Sequence, residues 1–442
     1  MKIDFNVQKN KWIKLVSLWI ILVLVLKILT MMQMPMMLTN IVFVSVSFAL
    51  VVTSYINNQE NKWELSIFVL AYLAHLLVLI LDLYGREYVM ILHSGRDTEM
   101  FFKISEQYFH GDFSETVTYY PYYLNAFYKI IGLNRFGAQY INVLGWCFSM
   151  ILMEKSCKVL EIEGKLRVFG LLLMAFAPNY MCITSVLLRE GIIITMNFLW
   201  FYCQIMWMKE GNRAYLVGCL IAPLVSLGLH MSAIVFWGLT IFAVALYDSK
   251  KKQFRIQKKT MITLLIGLVG ILVFLLIPNT RRLITQKLPD FDEGFLNTIN
   301  EMITFASEND GGSSYLKDVY VTGYGDFVMQ TFVRIFYFYA SPLPLHWRGL
   351  SDAAAFVISS APYLLSLILS FITVFIRKKD SYRTLMWGAF LLLGGICSWG
   401  VFNAGTAMRH RDKIIGIAIL LLLYSLNIIK KAWKSKGEKN EW

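Results

Sequence analysis

Apolar blocks as long as a lipid bilayer is thick recur along this chain, and they constrain its fold more than any other feature. The hydrocarbon core is about 30 Å thick and takes a helix of roughly 20 apolar residues. Backbone groups find no water there, so only helices and closed barrels span it. The sequence therefore predicts an all-α polytopic membrane protein of about twelve transmembrane helices. The predicted spans are 12–30, 36–56, 63–84, 136–157, 167–187, 191–208, 214–229, 231–247, 261–278, 353–376, 384–402 and 413–430.

The amino-acid composition agrees with a membrane location and excludes an ordinary soluble enzyme. Hydrophobic residues make up 57% of the 442 residues and charged residues only 16%, which is too apolar for a surface in water. The six cysteines are scattered singly with no C-x-x-C pair, a pattern typical of small core residues. No small-residue cleavage site closes the first apolar block, so we predict a retained helix and not a signal peptide.

Lysine and arginine indicate which loops face the cytoplasm. The chain has 42 of them and a net charge of +13. More than half fall at the two termini and in every second loop, including the runs at 250–259 and 430–439. Because such loops resist translocation, both termini are predicted to be cytoplasmic. The positive charge is explained by topology, and no nucleic-acid partner is expected.

This topology divides the chain into five segments, two of which are long extracytoplasmic loops able to carry a functional site. The apolar stretch 327–345 is interpreted as an interfacial or re-entrant helix, since a further crossing would place the basic residues 377–379 outside. The segments are helices 1–3 (1–84), the first extracytoplasmic loop (85–135), helices 4–9 (136–278), the second extracytoplasmic loop (279–352), and helices 10–12 with the cytoplasmic tail (353–442).

The first long loop carries acidic and aromatic residues at the predicted membrane surface. Asp97 and Glu99 precede an amphipathic stretch. A carboxylate held there suits a general base, or a ligand for a divalent cation that bridges a diphosphate; the alternative is that Asp97 only caps a helix. Further along, Tyr119, Tyr120 and Tyr122 suit either stacking on sugar rings or an aromatic belt at the interface.

Two short outer turns carry charge where two predicted spans meet. Arg189 and Glu190 lie together between the fifth and sixth spans, where an ion pair or a diphosphate contact would each justify the cost of charge in a membrane. His230 lies at the tip of the hairpin between the seventh and eighth spans. It is either a hydrogen-bonded cap or a group that contacts substrate.

The last outer loop contains Arg409, His410 and Arg411 on the face that otherwise resists positive charge. Two guanidinium groups and an imidazole suit a lipid-linked diphosphate, because arginine binds phosphate oxygens in bidentate fashion. The alternative is pairing with Asp412 and the acidic outer loops. The sequence GYGD at 323–326 resembles a potassium-channel filter, but a polar, glycine-broken run precedes it, so we predict a turn or an amide cradle.

Together, the outer-loop acids, the aromatic-proline segment, the R-E turn, the H-x-S hairpin and the late R-H-R resemble membrane glycosyltransferases of the GT-C superfamily. The resemblance covers about residues 90 to 415 and is greatest to bacterial polysaccharide polymerases of the Wzy and EpsG type. It implies an inverting hexosyltransferase of the bacterial plasma membrane. The implied substrate is a polyprenyl-diphosphate-linked glycan, used extracytoplasmically to build an exopolysaccharide, capsule or O-antigen.

The resemblance also implies roles for single residues. Asp97 would be the base or a cation ligand, with Glu99 assisting. No resident metal is predicted. The implied partners are membrane lipids and other polysaccharide assembly proteins, such as a chain-length regulator. The implied substrate-binding residues are Arg189, Arg409 and Arg411 on the diphosphate, Glu190, His230 and His410 on phosphate or sugar, and Tyr119, Tyr120 and Tyr122 along the acceptor path.

Two alternatives stay open. One is a GT-C transferase that uses a polyprenyl-monophosphate sugar to modify protein or lipid. The other is a flippase for lipid-linked sugars, which should carry titratable residues inside several helices. Few occur here, chiefly Lys27 and His75, which favours an enzyme.

The predicted topology is tested by cysteine accessibility in a variant that lacks the native cysteines. We expect Asp310→Cys to react with a membrane-impermeant thiol reagent added outside intact cells, and Arg255→Cys to react only after the membrane is opened. The reverse labelling pattern would contradict the assignment of sides to every loop.

Overall fold

The structure is a computed structural model, and it describes residues 5–56, 62–113, 118–257, 260–276, 294–308 and 313–440. Nearly all regular structure is helical, as the sequence predicts. In the first half of the chain the helices are α1 (Phe5–Met31), α2 (Met36–Ile56), α3 (Lys62–Tyr84), α4 (Arg96–Phe109), α5 (Tyr120–Ile131), α6 (Arg135–Val159), α7 (Gly164–Ala175), α8 (Pro178–Ser185), α9 (Glu190–Glu210) and α10 (Ala214–Leu229).

The second half of the chain adds the one hairpin of the described residues and the remaining helices. The hairpin pairs β1 (Tyr247–Asp248) with β2 (Gln253–Phe254) in antiparallel fashion. The helices are α11 (Ile234–Leu246), α12 (Thr260–Leu276), α13 (Phe295–Glu308), α14 (Tyr324–Ala340), α15 (Leu350–Ile376), α16 (Ser381–Cys397), α17 (Ala404–Arg411) and α18 (Ile415–Asn440). GYGD opens α14, so it forms a helix N-terminus there.

Several helices are long and apolar enough to cross a membrane, which supports the predicted class of protein. By length and composition there are seven such helices within the described ranges, or eight if α7 and α8, bent by 53°, form one span. The bent pair occupies most of the predicted span 167–187. The shorter apolar helices Ala214–Leu229 and Met231–Leu246 match two further predictions. The number of twelve crossings stays a prediction.

The chain forms two compact units, and the five predicted segments stay a prediction. The first unit comprises Met1–Glu154 and Met181–Gly191, and the second comprises Lys155–Tyr180 and Ile192–Trp442. The first predicted extracytoplasmic loop contributes α4 and α5 to the first unit. The described part of the second loop contributes α13 and α14 to the second unit. Both loops are therefore largely helical where the structure describes them.

Helix α18 is the buried centre of the second unit. The stretch Ala404–Ser435 includes most of this helix, and 83% of its most apolar 18-residue window is buried. Close packing at its start depends on Gly416, because a Cβ there would lie 2.7 to 3.0 Å from the ring of Phe198 on α9. Phe198 is itself buried, so its ring has little room to move.

We expect Gly416→Ala to lower the free energy of unfolding by about 1 to 3 kcal/mol, the usual cost of overpacking a core. The matched control is Gly238→Ala on α11, because nothing lies within 4 Å of a Cβ there and alanine favours a helix. Denaturant titration in detergent micelles measures both. Equal stabilities of the two variants would contradict the close approach of α18 to α9.

Candidate functional site

The N-terminus of α4 places Asp97 at the surface of the first unit. Gly95 precedes the helix with a φ of 140°, a backbone angle that favours glycine. The Gly95 N–H donates to Thr98 Oγ1 at 3.1 Å, and Thr98 Oγ1 donates to the Gly95 carbonyl at 2.8 Å. The N-cap residue is Gly95, and Asp97 lies in the first turn, where a carboxylate also stabilises the helix N-terminus. Its side chain is half-exposed.

Glu99 is clamped between two arginines that the sequence did not single out. Arg135 donates from Nη1 to Glu99 Oε2 at 2.8 Å and from Nη2 to Oε1 at 2.5 Å. Arg86 donates to the same Oε1. The hydrogen bonds from Arg135, and then those from Arg86, lower the pKa of Glu99 from 4.5 to about 2. Glu99 is thus a fixed negative charge, and a weak proton acceptor.

A buried acid extends this clamp into the first unit. Asp82, near the end of α3, has no exposed surface. It accepts hydrogen bonds from Arg86 Nη2 at 3.1 Å and from Gln139 Nε2 at 2.5 Å. Acidic and guanidinium groups therefore alternate from Asp82 through Arg86 and Glu99 to Arg135. Three helices, α3, α4 and α6, are joined by this chain of charges at the base of α4.

Arg189 approaches α4 from a distant part of the sequence. Its guanidinium lies over the ring of Phe101, 5.7 Å from the centroid. Asp97 is four residues before Phe101 and shares that face of α4. The Arg189 side chain is 15% exposed, and its Nε lies 3.7 Å from Oε1 of the fully buried Glu190. Asp97 and Arg189, both predicted from sequence, thus lie on one side of the first unit.

Asn142 on α6 holds the turn that carries Arg189. Its Nδ2 donates to the carbonyls of Val186 and Leu188, both at 2.8 Å. A Cβ at Gly191 would lie 2.8 Å from Asn142, so glycine is needed directly after the R-E pair. The arrangement explains why the R-E turn continues with glycine.

The three predicted tyrosines have different surroundings. Tyr120 is buried and packs edge-on against Phe101 at 5.1 Å, beside the Arg189 guanidinium. Tyr122 is 40% exposed, and its ring is tilted by 40° against that of Tyr108, with the centroids 4.6 Å apart. Tyr119 precedes α5, with its ring 6.0 Å from that of Tyr122. Only Tyr119 and Tyr122 present ring surface that a ligand can reach.

The R-H-R motif lies in the second unit, where Arg411 is fully buried. Its Nη1 donates to the carbonyls of Tyr339 at 3.0 Å and Ser341 at 2.7 Å. Its Nη2 donates to the hydroxyls of Ser359 at 2.8 Å and Ser360 at 3.0 Å. Both terminal nitrogens are occupied by the protein, so this geometry favours a structural role for Arg411 over the expected diphosphate contact.

The residues around Arg411 form a polar cluster with both predicted histidines. His410 Nδ1 lies 3.0 Å from Nζ of the fully buried Lys413. The rings of His410 and His230 are 5.1 Å apart. His230 Nδ1 accepts from the Ser232 N–H at 3.2 Å, which is the capping role that the sequence left as an alternative. Arg409 is half-buried on α17.

Asp412 is a second buried charge beside Arg411. It accepts from Asn179 Nδ2 at 2.6 Å and from the Tyr363 hydroxyl at 2.9 Å. Its two oxygens therefore bind groups of α8 and α15. Asp412 also attracts Arg411 electrostatically, which agrees with the predicted alternative of pairing between them.

A cavity of about 170 Å³ opens beside this cluster in the second unit. One wall is the strand-like segment 313–315, in which the Tyr315 N–H donates to the Phe402 carbonyl at 2.8 Å. The opposite wall begins at Ser341, whose carbonyl accepts from Arg411. Polar side chains dominate the lining: Ser313, Ser314, Tyr315, Ser341, His346, Arg348 and Asp352.

The sequence reasoning missed both the clamp and the cavity. Arg86 and Arg135 resemble ordinary loop arginines, since their shared partner Glu99 lies 13 and 36 residues away. His346, Arg348 and Asp352 follow a proline-rich stretch and carried no motif. The one available signal is that charged residues flank a long loop between predicted spans. Among the described residues, no group of three or more His, Cys, Asp or Glu side chains is placed to hold a metal ion.

Comparisons of this chain with protein-family models, with curated proteins and with solved structures find no match.

We expect the Glu99 clamp to contribute stability that is present above pH 4.5 and is lost as the pH falls from 4.5 to about 2, because the unfolded chain binds the proton first. Glu99→Gln should unfold at a lower temperature than the wild type at pH 7. Its unfolding temperature should also fall less than that of the wild type on acidification. Thermal unfolding in detergent at pH 4.5 and at about pH 2 measures this loss of stability. The control is Glu106→Gln on the same helix. Parallel acid losses in wild type and Glu99→Gln would contradict the clamp.

Proposed function

We propose that the protein is a membrane glycosyltransferase that polymerises polyprenyl-diphosphate-linked oligosaccharide units on the extracytoplasmic side of a bacterial plasma membrane. The supporting observation is the approach of Arg189 to α4, where Asp97 lies half-exposed one turn before Phe101. A proton acceptor and a guanidinium beside apolar helices are the two groups that sugar transfer from a lipid diphosphate requires.

In this proposal Asp97 is the general base. The acceptor hydroxyl oxygen attacks the anomeric carbon as its proton passes to the Asp97 carboxylate. The bond from the anomeric carbon to the diphosphate oxygen breaks, and the electron pair leaves with the diphosphate. Arg189 stabilises the charge that develops on that group. Glu99 cannot share the base role, because its lowered pKa and three guanidinium hydrogen bonds hold it as a bound carboxylate.

Glu99 has a positioning role in this scheme. Through Arg86 and Arg135 it fixes the first turn of α4, and with it Asp97, against α3 and α6. Glu190 has no exposed surface and lies beside Arg189, so we assign it to orienting that guanidinium. The exposed ring of Tyr122 and the half-buried ring of Tyr119 are assigned to the acceptor glycan.

The second unit has polar groups of its own that suit phosphate or sugar. Arg409, His410 and His230 are partly exposed, and we assign them to substrate binding. The cavity next to Ser341 is lined by hydroxyl, imidazole, guanidinium and carboxylate groups, a set that suits the hydroxyl groups of a saccharide. We assign Arg411 to holding the cavity wall.

Incubation of the purified full-length protein with lipid-linked repeat units, followed by separation of products by size, tests the function. We expect Asp97→Asn to lower chain growth by about 10² to 10⁴-fold, the usual contribution of a general base. Arg189→Gln and Arg409→Ala should each lower it by about 10²-fold. Glu106→Gln and Lys103→Gln on α4 are matched controls and should retain activity.

Several outcomes of the same assay would contradict the proposal. Normal product ladders from both Asp97→Asn and Arg409→Ala would remove it. Transfer of a single sugar without chain growth would favour the monophosphate-dependent transferase, and movement of intact lipid-linked units across vesicles without new bonds would favour a flippase. A parallel incubation with a chelator shows whether a divalent cation at Asp97 takes part.

A further inference from the structure

One end of the second unit carries a dense group of lysines and arginines that the proposed function does not use. Three separate segments supply them: the β1–β2 turn, the turn between α15 and α16, and the last turns of α18. We call this surface the basic end. Its residues are Lys250, Lys251, Lys252, Arg377, Lys378, Lys379, Lys430, Lys431 and Lys434.

Hydrogen bonds hold these segments together despite their like charges. Ser381 Oγ, at the start of α16, donates to the Lys252 carbonyl at 3.1 Å and so joins the hairpin to the next turn. The Tyr424 hydroxyl of α18 donates to Asp380 Oδ2 at 2.8 Å and accepts from Arg377 Nη1 at 3.2 Å. The positive charges are therefore concentrated by the fold itself.

Three acids at the basic end are already bound, whereas Glu161 is exposed and its carbonyl accepts from Lys431 Nζ at 3.4 Å. Asp248 accepts from the Lys250 and Lys251 N–H groups and pairs with Arg255 at 2.6 Å. Asp380 is buried and bound by Tyr424 and Arg377. Glu163 pairs with Lys430. Within the described ranges, no carboxylate lies within 4 Å of the side-chain nitrogens of the remaining lysines, which are Lys250, Lys251, Lys252, Lys378, Lys379, Lys431 and Lys434.

Large apolar side chains are exposed beside these lysines. Phe375 and Trp433 are each 76% exposed, and Ile256 is 83% exposed. Phe375 lies in the last turn of α15, a candidate membrane span that ends at Ile376, directly before Arg377. An aromatic ring next to cationic groups at the end of a span is typical of the boundary between hydrocarbon and headgroups.

We propose that the basic end is a binding site for the phosphate headgroups of anionic phospholipids. The ammonium groups of the hairpin and of the α15–α16 turn would donate hydrogen bonds to phosphodiester oxygens. The exposed rings of Phe375 and Trp433 would contact the acyl chains of the same lipids. An acidic protein could satisfy the lysines, but the exposed apolar side chains at the end of a span favour a lipid. The site is independent of the glycosyltransferase proposal.

Thermal unfolding of the purified full-length protein in non-ionic detergent tests this site. Mixed micelles with dioleoylphosphatidylglycerol should raise the unfolding midpoint more than micelles with dioleoylphosphatidylcholine. The test variant replaces five lysines by Gln: Lys250, Lys251, Lys252, Lys378 and Lys379. It should need about tenfold more phosphatidylglycerol, or still more, for the half-maximal shift, because each cation contributes to attraction by an anionic surface. The matched control, Lys103→Gln with Lys129→Gln on α4 and α5, should respond like the wild type.

Four results would overturn the proposal. Equal shifts with the two lipids would show that no headgroup charge is recognised. An equal shift with inorganic phosphate alone would assign the lysines to a free anion, and one with poly-glutamate alone would assign them to an acidic protein. If the lysine variant does not fold, the salt dependence of the wild type tests the site. The shift of its unfolding midpoint with phosphatidylglycerol should become smaller as NaCl rises from about 0.05 to about 0.5 M. An unchanged shift would contradict the site.

Discussion

The low dielectric of the membrane interior decides where charge is found in this protein. A charged side chain in hydrocarbon must pair with another group, or move to the end of its helix. The charges of this chain accordingly gather where apolar helices end, as at the base of α4, at α17 and at the basic end. Each of these places is also where separate segments of the chain meet. The same constraint that distributes the charges thus creates the candidate sites.

Six arginines near the candidate sites divide into two groups. Four are held by hydrogen bonds within the protein, and two are the proposed diphosphate contacts. Arg411 and Arg334 are buried and donate to main-chain carbonyls, and Arg334 also lies over the ring of Trp399 at 4.5 Å. Arg86 and Arg135 are bound to Glu99. These four guanidinium groups hold helices and loops in place. Arg189 and Arg409 are half-buried and are the two arginines that we propose to contact the diphosphate.

The proposed chemistry depends on separating two carboxylates two residues apart. Glu99 is bound by guanidinium groups, which lower its pKa and remove it as a base. Asp97 lies in the same helical turn on the side that Arg189 approaches, and it is less exposed than Glu99. In the proposed mechanism Glu99 positions the helix and Asp97 accepts the proton. For the basic end of the second unit we propose a different ligand, the phosphate groups of anionic phospholipids. Its lysines lie next to exposed rings at the end of a candidate span.

The sequence by itself determined the all-α membrane class, because block length and the cost of unsatisfied backbone groups in hydrocarbon leave few other folds. It also singled out Asp97, Arg189 and Arg409 as candidates, since charge next to a span requires a reason, and their roles stay a prediction. Helix lengths and the bend between α7 and α8 depended on packing, and so differed from the predicted spans. Only tertiary structure distinguished Arg411 from Arg409, two residues apart, because burial is set by the helices that surround a side chain. The Glu99 clamp and the cavity beside Ser341 likewise join residues far apart in sequence, and no local pattern records such contacts.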